Sequence, residues 1–197
     1  MNSFERFIEK HIDKSWDWEA KGLSSNPSIT PDFIEKHIDK PWDWGHDGLS
    51  ENPSITIEFI ERFIDKPWCW VKLSRNPAIT LKLIEKHIDK PWHWGEFGLS
   101  YNLSITPKFI EKYIDKPWDW KSYSGLSSNP SITPEFIEKY IDKPWGWGEL
   151  SINPLITLEF IEKFIDKPWL WGEYGLSENP SITLDIIDHF IDKLWHW

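Results

Sequence analysis

Residues 30–44 read TPDFIEKHIDKPWDW, and this stretch decides the fold of the chain. Thr30 is a favourable helix N-cap, and Pro31 suits the first position of a helix. Apolar side chains then recur with helical spacing as far as Pro41, which disfavours helical backbone in the residue before it. The stretch therefore predicts an amphipathic α-helix of about ten residues with a charged outer face.

The same pattern returns every 24 to 27 residues, so the sequence is a tandem array of one repeated segment. The tryptophans follow this period completely, because all 16 occur in eight Trp-x-Trp pairs that close the repeats. A helix of about ten residues does not persist alone in water, so we expect each one to pack against its neighbours. The threonines that open the predicted helices are Thr30, Thr56, Thr80, Thr106, Thr133, Thr157 and Thr183.

The second half of each repeat holds the tryptophan pair, a spacer and a Leu-Ser-x-Asn segment. In residues 41–52 the apolar side chains are too irregularly spaced for a long helix, and glycine and proline interrupt any strand. We predict a short helical turn of 3-10 type here. The spacer is two residues long in two repeats and four or five residues long elsewhere, which indicates a surface loop.

These patterns predict an all-α solenoid of eight short α-helices that alternate with short, 3-10-like helical turns. Residues 1–197 form one tandem-repeat array with atypical ends, since Ser15 and Leu194 stand where the other repeats have a proline. We expect the first helix to begin near Ser3, and we expect the first and last repeats to cap the stack.

The Leu-Ser-x-Asn-Pro-x-Ile-Thr-x-Glu-Phe-Ile core, with its minimal period of 24 residues, resembles the leucine-rich repeat variant family. That resemblance implies alternating α- and 3-10 helices in a right-handed superhelix. The Asp-Lys-Pro-Trp-x-Trp half of the repeat departs from the family pattern. That half, together with Asn-Pro-x-Ile-Thr, is similar to tryptophan-rich repeat proteins encoded by giant DNA viruses of amoebae, which implies a viral origin and no particular activity.

Charge and composition argue against several classes of function. The net charge is 22 − 32 = −10 at neutral pH, and only three residues are arginine, which disfavours binding to a nucleic-acid backbone. No apolar run approaches the roughly 20 residues that span a membrane, and no leader follows Met1. The lone cysteine, Cys69, favours a reducing compartment. We expect an intracellular protein, cytoplasmic by default, that binds neither nucleic acid nor membrane.

We predict no metal site, no cofactor and no enzymatic activity. His11, His37 and His87 occupy a helix position that phenylalanine or tyrosine fills in the other repeats, which indicates aromatic packing. The carboxylates Glu35 and Asp39 recur as a pair in the following repeats, whereas catalysis requires one asymmetric constellation in a pocket.

The tryptophan pairs admit two interpretations. Both rings could pack between repeats, since a buried tryptophan covers about 150 to 250 Å². Alternatively, one ring of each pair is exposed, and the rings form a ladder that stacks on sugars, proline-rich peptides or partner side chains. The pattern does not show which ring is the more exposed, so both members of the central pairs are candidate binding residues. They are Trp42, Trp44, Trp68, Trp70, Trp92, Trp94, Trp118 and Trp120.

The positions that vary between repeats supply a second set of candidate binding residues. These positions are the residue between the two tryptophans, the residue before the asparagine, and the spacer. We expect them to lie toward one edge of the stack and to form its interaction surface. The aromatic candidates at these positions are Phe97, Tyr101, Tyr123 and Tyr174.

The function that the sequence favours is a non-catalytic repeat scaffold for protein–protein interaction, in which a repetitive surface offers many similar weak contacts. Two alternatives stay open. One is a carbohydrate-binding module that uses exposed tryptophans, and the other is a structural component that assembles end to end. The net charge and the capped ends favour a monomer.

Overall fold

The structure, a computed structural model, describes residues 1–19 and 21–196. Within these residues the protein contains ten α-helices, three 3-10 helices and no strand, which confirms the all-α prediction. The chain divides into two compact units, which we call the N-terminal unit (Met1–His93) and the C-terminal unit (Trp94–Trp197). The single array and the right-handed superhelix remain predictions.

The N-terminal unit contains five of the α-helices. They are α1 (Ser3–Lys10), α2 (Pro31–Lys36), α3 (Ile57–Arg62), α4 (Trp70–Arg75) and α5 (Leu81–Lys86).

The C-terminal unit contains the other five α-helices and the three 3-10 helices. In chain order they are η1 (Leu99–Tyr101), α6 (Pro107–Lys112), η2 (Leu126–Ser128), α7 (Pro134–Lys139), α8 (Trp147–Leu150), α9 (Leu158–Lys163), η3 (Leu176–Glu178) and α10 (Leu184–His189).

Eight of the α-helices are the ones predicted at one per repeat, and six of them have the predicted threonine cap. In those six, a threonine hydroxyl accepts the N–H of the third helical residue, as Thr30 does from Phe33. The helices are shorter than predicted: α2 has six residues and ends at Lys36. The chain tightens before it reaches Pro41, because the Lys40 N–H donates to the His37 carbonyl and closes a further turn.

The second half of the repeat takes two forms: an α-helix where the spacer has two residues, and a 3-10 helix or a hydrogen-bonded turn, such as residues 46–51, where the spacer is longer. The predicted 3-10 turn occurs in three repeats, but α4 and α8 are α-helical and occupy the two repeats with a two-residue spacer. In both forms the leucine N–H donates to the carbonyl of the residue between the tryptophans. In α4 this bond spans four residues, from Leu73 to Cys69, whereas in a longer spacer it spans six, from Leu49 to Asp43. Only the first spacing is that of an α-helix.

The core consists of the apolar positions that the repeat holds nearly constant. Each internal repeat buries the isoleucine before the threonine, two adjacent apolar residues of the helix, and the leucine after the spacer. In one repeat these are Ile132, Phe136, Ile137 and Leu126, all at most 4% exposed. No helix in residues 1–19 or 21–196 has the length and apolar character needed to cross a membrane.

In the first repeat, Asn2 and the buried carboxylate of Glu5 take the place of the threonine cap. α1 begins at Ser3, as predicted, and Asn2 caps it in a reciprocal arrangement with Glu5. Glu5 is fully buried, and its carboxylate also accepts hydrogen bonds from the N–H (2.9 Å) and the hydroxyl (2.6 Å) of Thr30. Burial acts to raise the pKa of Glu5, but the hydrogen bonds from Thr30 and Asn2 outweigh it and hold this pKa below its ordinary value of 4.5.

We expect the substitution Glu5→Gln to lower the free energy of unfolding at neutral pH by about 2 kcal/mol, because it weakens hydrogen bonds to a charged acceptor. Since the pKa is lowered by folding, the carboxylate stabilises the protein above pH 4.5 and loses this effect as the pH falls through the folded-state pKa. Urea unfolding of both proteins from pH 7 to acid should show the difference shrinking as the pH falls. A difference that is independent of pH would contradict this role.

Candidate interaction surface

The first tryptophan of every pair closes the helix that precedes it. Its indole N–H donates to the backbone carbonyl at the helix C-cap, at 2.8–2.9 Å, in all eight repeats. The last carbonyls of a helix have no partner within the helix, so this bond satisfies one of them. The indole thus closes the end of the helix in every repeat, including the first and last, which lack the proline.

In the first seven pairs, the second tryptophan inserts against the following repeat. Trp120 lies parallel to Phe136 (centroids 6.3 Å apart, 9° between planes) and meets Trp145 edge-on (5.1 Å, 89°). The ammonium of Lys143 lies 5.3 Å from the centroid of Trp120, within cation–π range. The edge-on contact recurs at seven repeat junctions with centroid distances of 4.9–5.3 Å.

These contacts take most of the candidate tryptophans out of reach of a ligand. Seven of the eight rings are buried, at 4–8% exposure, and Trp70 is half-buried. The interpretation as an exposed ladder therefore needs correction, because one ring is held by the helix end and the other by the next repeat. The buried candidates are Trp42, Trp44, Trp68, Trp92, Trp94, Trp118 and Trp120.

A buried serine joins neighbouring repeats through the backbone. The hydroxyl of Ser127 donates to the carbonyl of Trp120 and accepts the N–H of Gly146 in the next repeat, at 2.9 Å. The second of these bonds occurs at seven junctions, at 2.9–3.0 Å. The nearly invariant Leu-Ser dipeptide is the only signal of this role in the sequence.

The asparagine also links neighbouring repeats at several junctions. The side-chain carbonyl of Asn52 accepts the N–H of Ser54 (2.9 Å) and makes the turn expected from the sequence. Its amide group donates to the carbonyls of Ser24 (3.1 Å) and Asn26 (3.0 Å) in the preceding repeat. Asn52 is fully buried, so its constancy has a structural cause.

The exposed faces of the helices carry ion pairs between neighbours. Lys139 bonds Glu111 (2.8 Å) on the preceding helix, and Lys163 bonds Glu138 (2.7 Å) in the same way. The hydrogen bond to Glu111 raises the pKa of Lys139. Exposed pairs of this kind contribute little to stability.

The aromatic candidates outside the tryptophan pairs lie on the surface of the C-terminal unit. Phe97 is 48% exposed, Tyr101 36%, Tyr123 67% and Tyr174 69%. The Phe97 N–H donates to the Ser124 carbonyl at 3.3 Å, so the spacers that carry Phe97 and Tyr123 lie side by side. We call the spacers and the exposed turn residues of this unit, with their four aromatic side chains, the loop edge.

Two of these aromatic residues have strained backbone. Phe97 (φ 57°) and Tyr174 (φ 61°) are in the left-handed region, which is unfavourable for bulky side chains. Each precedes a glycine, and a Cβ on Gly175 would lie 2.0 Å from the Leu170 carbonyl oxygen, so the glycine is needed for close backbone approach. Backbone strain of this kind is found most often at binding and catalytic sites.

Tyr174 and Tyr123 provide a matched pair for measuring this strain, because they are equally exposed and only Tyr174 has positive φ. We expect Tyr174→Gly to raise the free energy of unfolding by about 1 kcal/mol, since glycine adopts this conformation freely. Tyr123→Gly should leave stability unchanged or reduce it. Urea unfolding of both variants measures the effect, and equal changes would show that the backbone at Tyr174 is unstrained.

The corresponding spacers of the N-terminal unit contain no phenylalanine, tyrosine or tryptophan. Lys21 has the same left-handed backbone (φ 61°), and His46 bonds the carboxylate of Asp47 at 2.8 Å. That bond lowers the pKa of Asp47. A shallow depression of about 340 Å³ near these spacers contains the ion pair between Lys72 and Glu51. The exposed aromatic spacers are therefore a feature of the C-terminal unit.

The described part of the chain contains no group of three or more His, Cys, Asp or Glu side chains that could hold a metal ion. Cys69, half-buried between the two tryptophans of its pair, donates its backbone N–H to the hydroxyl of Ser50.

Comparison with protein-family models, with curated proteins and with solved structures finds no match to this chain.

Proposed function

We propose that this protein is a non-catalytic repeat scaffold that binds a protein partner through the loop edge of its C-terminal unit. The observation that carries the proposal is the concentration of exposed aromatic side chains there, with Phe97 and Tyr174 on strained backbone. Aromatic residues are enriched at the centres of protein interfaces, where they bury a large area at low entropic cost.

The constant residues of the repeat support this proposal, because their side chains already contact other residues of the fold. The constant residues of the repeat make contacts inside the fold: the tryptophans, the serine and the asparagine all have partners in their own or a neighbouring repeat. On the helix faces, lysines pair with glutamates of the preceding helix, as Lys139 does with Glu111. The residues that differ between repeats, and are exposed, are those that can distinguish one partner from another.

The carbohydrate alternative has less support. A sugar-binding ladder requires exposed aromatic faces, and the seven buried tryptophans offer none. The exposed tyrosines and Phe97 are the aromatic candidates that remain accessible to a sugar.

The test is affinity capture of the tagged chain from lysate of its native cell at physiological salt, with quantitative mass spectrometry. A protein recovered in stoichiometric amount, and lost when Phe97, Tyr123 and Tyr174 are all changed to serine, is the expected result. Recovery of the chain alone, together with saturable glycan binding that quenches tryptophan fluorescence, would overturn the proposal in favour of a carbohydrate-binding module.

A further inference from the structure

Phe7, His11 and Trp16 of the first repeat form a cluster that we call the socket. In each later repeat, a tryptophan of the preceding repeat covers the equivalent residues. Phe7 lies 4.7 Å from His11 and 6.1 Å from Trp16, edge-on to the latter at 85°. In the second repeat, Phe33 has almost the same relation to its own partners, at 4.6 and 6.4 Å. The geometry of the socket is therefore already formed in the first repeat.

The difference between the two sockets is the ring that covers them. Trp18 from the preceding repeat lies parallel to Phe33 (6.5 Å, 8°) and meets Trp42 edge-on (5.1 Å). Phe33 is consequently 2% exposed, whereas Phe7 is 54% exposed. The apolar side of α1 that carries Phe7 is therefore open in this structure, whereas the equivalent side of α2 is covered.

In the last repeat, the exposed face is the one that an internal repeat packs against the repeat after it. Ile156 and Ile161 are fully buried, but their equivalents in the last repeat, Ile182 and Ile187, are only half-buried. Leu184, at the start of α10, is 82% exposed. The face that each internal repeat presents to its successor is therefore open here.

The charges on the two open faces are complementary. At internal junctions, a basic residue pairs with an acidic residue of the preceding repeat, as Lys163 does with Glu138 (2.7 Å) and His189 with Glu162 (2.9 Å). By position in the repeat, Lys10 is the basic residue of the first face, and Asp188 is the acidic residue of the last.

We propose that a second copy of this chain occupies the socket, so that the last repeat of one copy stacks on the first repeat of another. The contact would reproduce the junction already present within the chain, with Phe7 and Trp16 covered and Lys10 facing Asp188 of the other copy. Such a contact joins two different surfaces, so it can add copies in series. One repeat junction is a small interface, and we expect weak, concentration-dependent association.

Sedimentation equilibrium of the full chain at about 0.15 M salt, where exposed charges are screened beyond about 8 Å, tests the proposal. The weight-average mass should rise above 23.5 kDa as concentration increases. Phe7→Glu should abolish the rise without changing the circular dichroism spectrum or the unfolding midpoint. A mass that stays at 23.5 kDa at every concentration would overturn the proposal.

Charge reversal provides a test that does not depend on an apolar substitution. Lys10→Glu and Asp188→Lys should each weaken association, although they shift the net charge in opposite directions, and the double variant should restore it. Lys108→Glu, at an exposed position of an internal helix, is the matched control and should have no effect. Association that is insensitive to Phe7→Glu and to both single reversals would show that copies meet through some other surface.

Discussion

Replacing Trp120 with alanine should lower the free energy of unfolding by about 3 to 5 kcal/mol, the range for removing a large buried aromatic side chain. The ring is 8% exposed and packs against Phe136 and Trp145 of the following repeat. Its loss would leave a cavity at the junction and remove the aromatic surface under Lys143. Urea unfolding followed by circular dichroism measures the change.

Tyr123→Ala is the control for that experiment, because Tyr123 lies three residues away and is 67% exposed. Its effect should stay within about 0.5 kcal/mol, as is usual for surface positions. If Trp120→Ala were as mild as this control, the second tryptophan of the pair would not be a structural residue.

The second large effect is expected from Asn52→Ala, which should cost about 3 kcal/mol at about 1 kcal/mol for each hydrogen bond lost. The substitution removes the turn bond to Ser54 and the two bonds to the preceding repeat. The Ser24 carbonyl would lose its amide donor in a buried position, which adds to the cost.

Asn26→Ala removes the turn bond alone, so the difference between the two variants gives the contribution of the bonds between repeats. Asn26 makes the same turn bond, to the Ser28 N–H (2.8 Å), but it belongs to the first Asn-Pro segment and is only partly buried. We expect a loss of about 1 kcal/mol for this variant. Equal losses in the two variants would mean that the amide bonds to the preceding repeat contribute nothing.

The sequence predicted the helices well because their signals are local. A threonine N-cap, the proline or acidic residue after it, and two adjacent apolar residues are enough to place α2, and Asn2 and Glu5 place the start of α1. Helix length was overestimated because the residues between Lys36 and Pro41 have no local signal that separates an α-helix from a tighter turn. The α-helical form of α4 and α8 is not predicted, because it depends on how many residues separate the leucine N–H from its carbonyl acceptor and not on the types of residue in the spacer.

The roles of the tryptophans could not be predicted from spacing alone. Two rings separated by one residue point in different directions, and the direction of each depends on packing against another repeat. The structure assigns one ring to a helix end and the other to the next repeat, as Trp118 and Trp120 show. The aromatic candidates at the variable positions are exposed, because variation between repeats marks residues that the fold does not constrain, and their role in binding stays a prediction. The strain at Phe97 and Tyr174 has only one sequence signal, the glycine that follows each.

The central claim is that the constant tryptophans hold the fold together while the variable loop edge binds the partner. The most direct test compares the affinity of the captured partner for three proteins: the wild-type chain, the loop-edge variant Phe97→Ser/Tyr123→Ser/Tyr174→Ser, and a helix-face variant Lys139→Ser/Lys163→Ser/Ile165→Ser of the same unit. We expect the loop-edge variant to lose binding and the helix-face variant to keep it, with both remaining folded. Binding that survives in the loop-edge variant and is lost in the helix-face variant would contradict the claim.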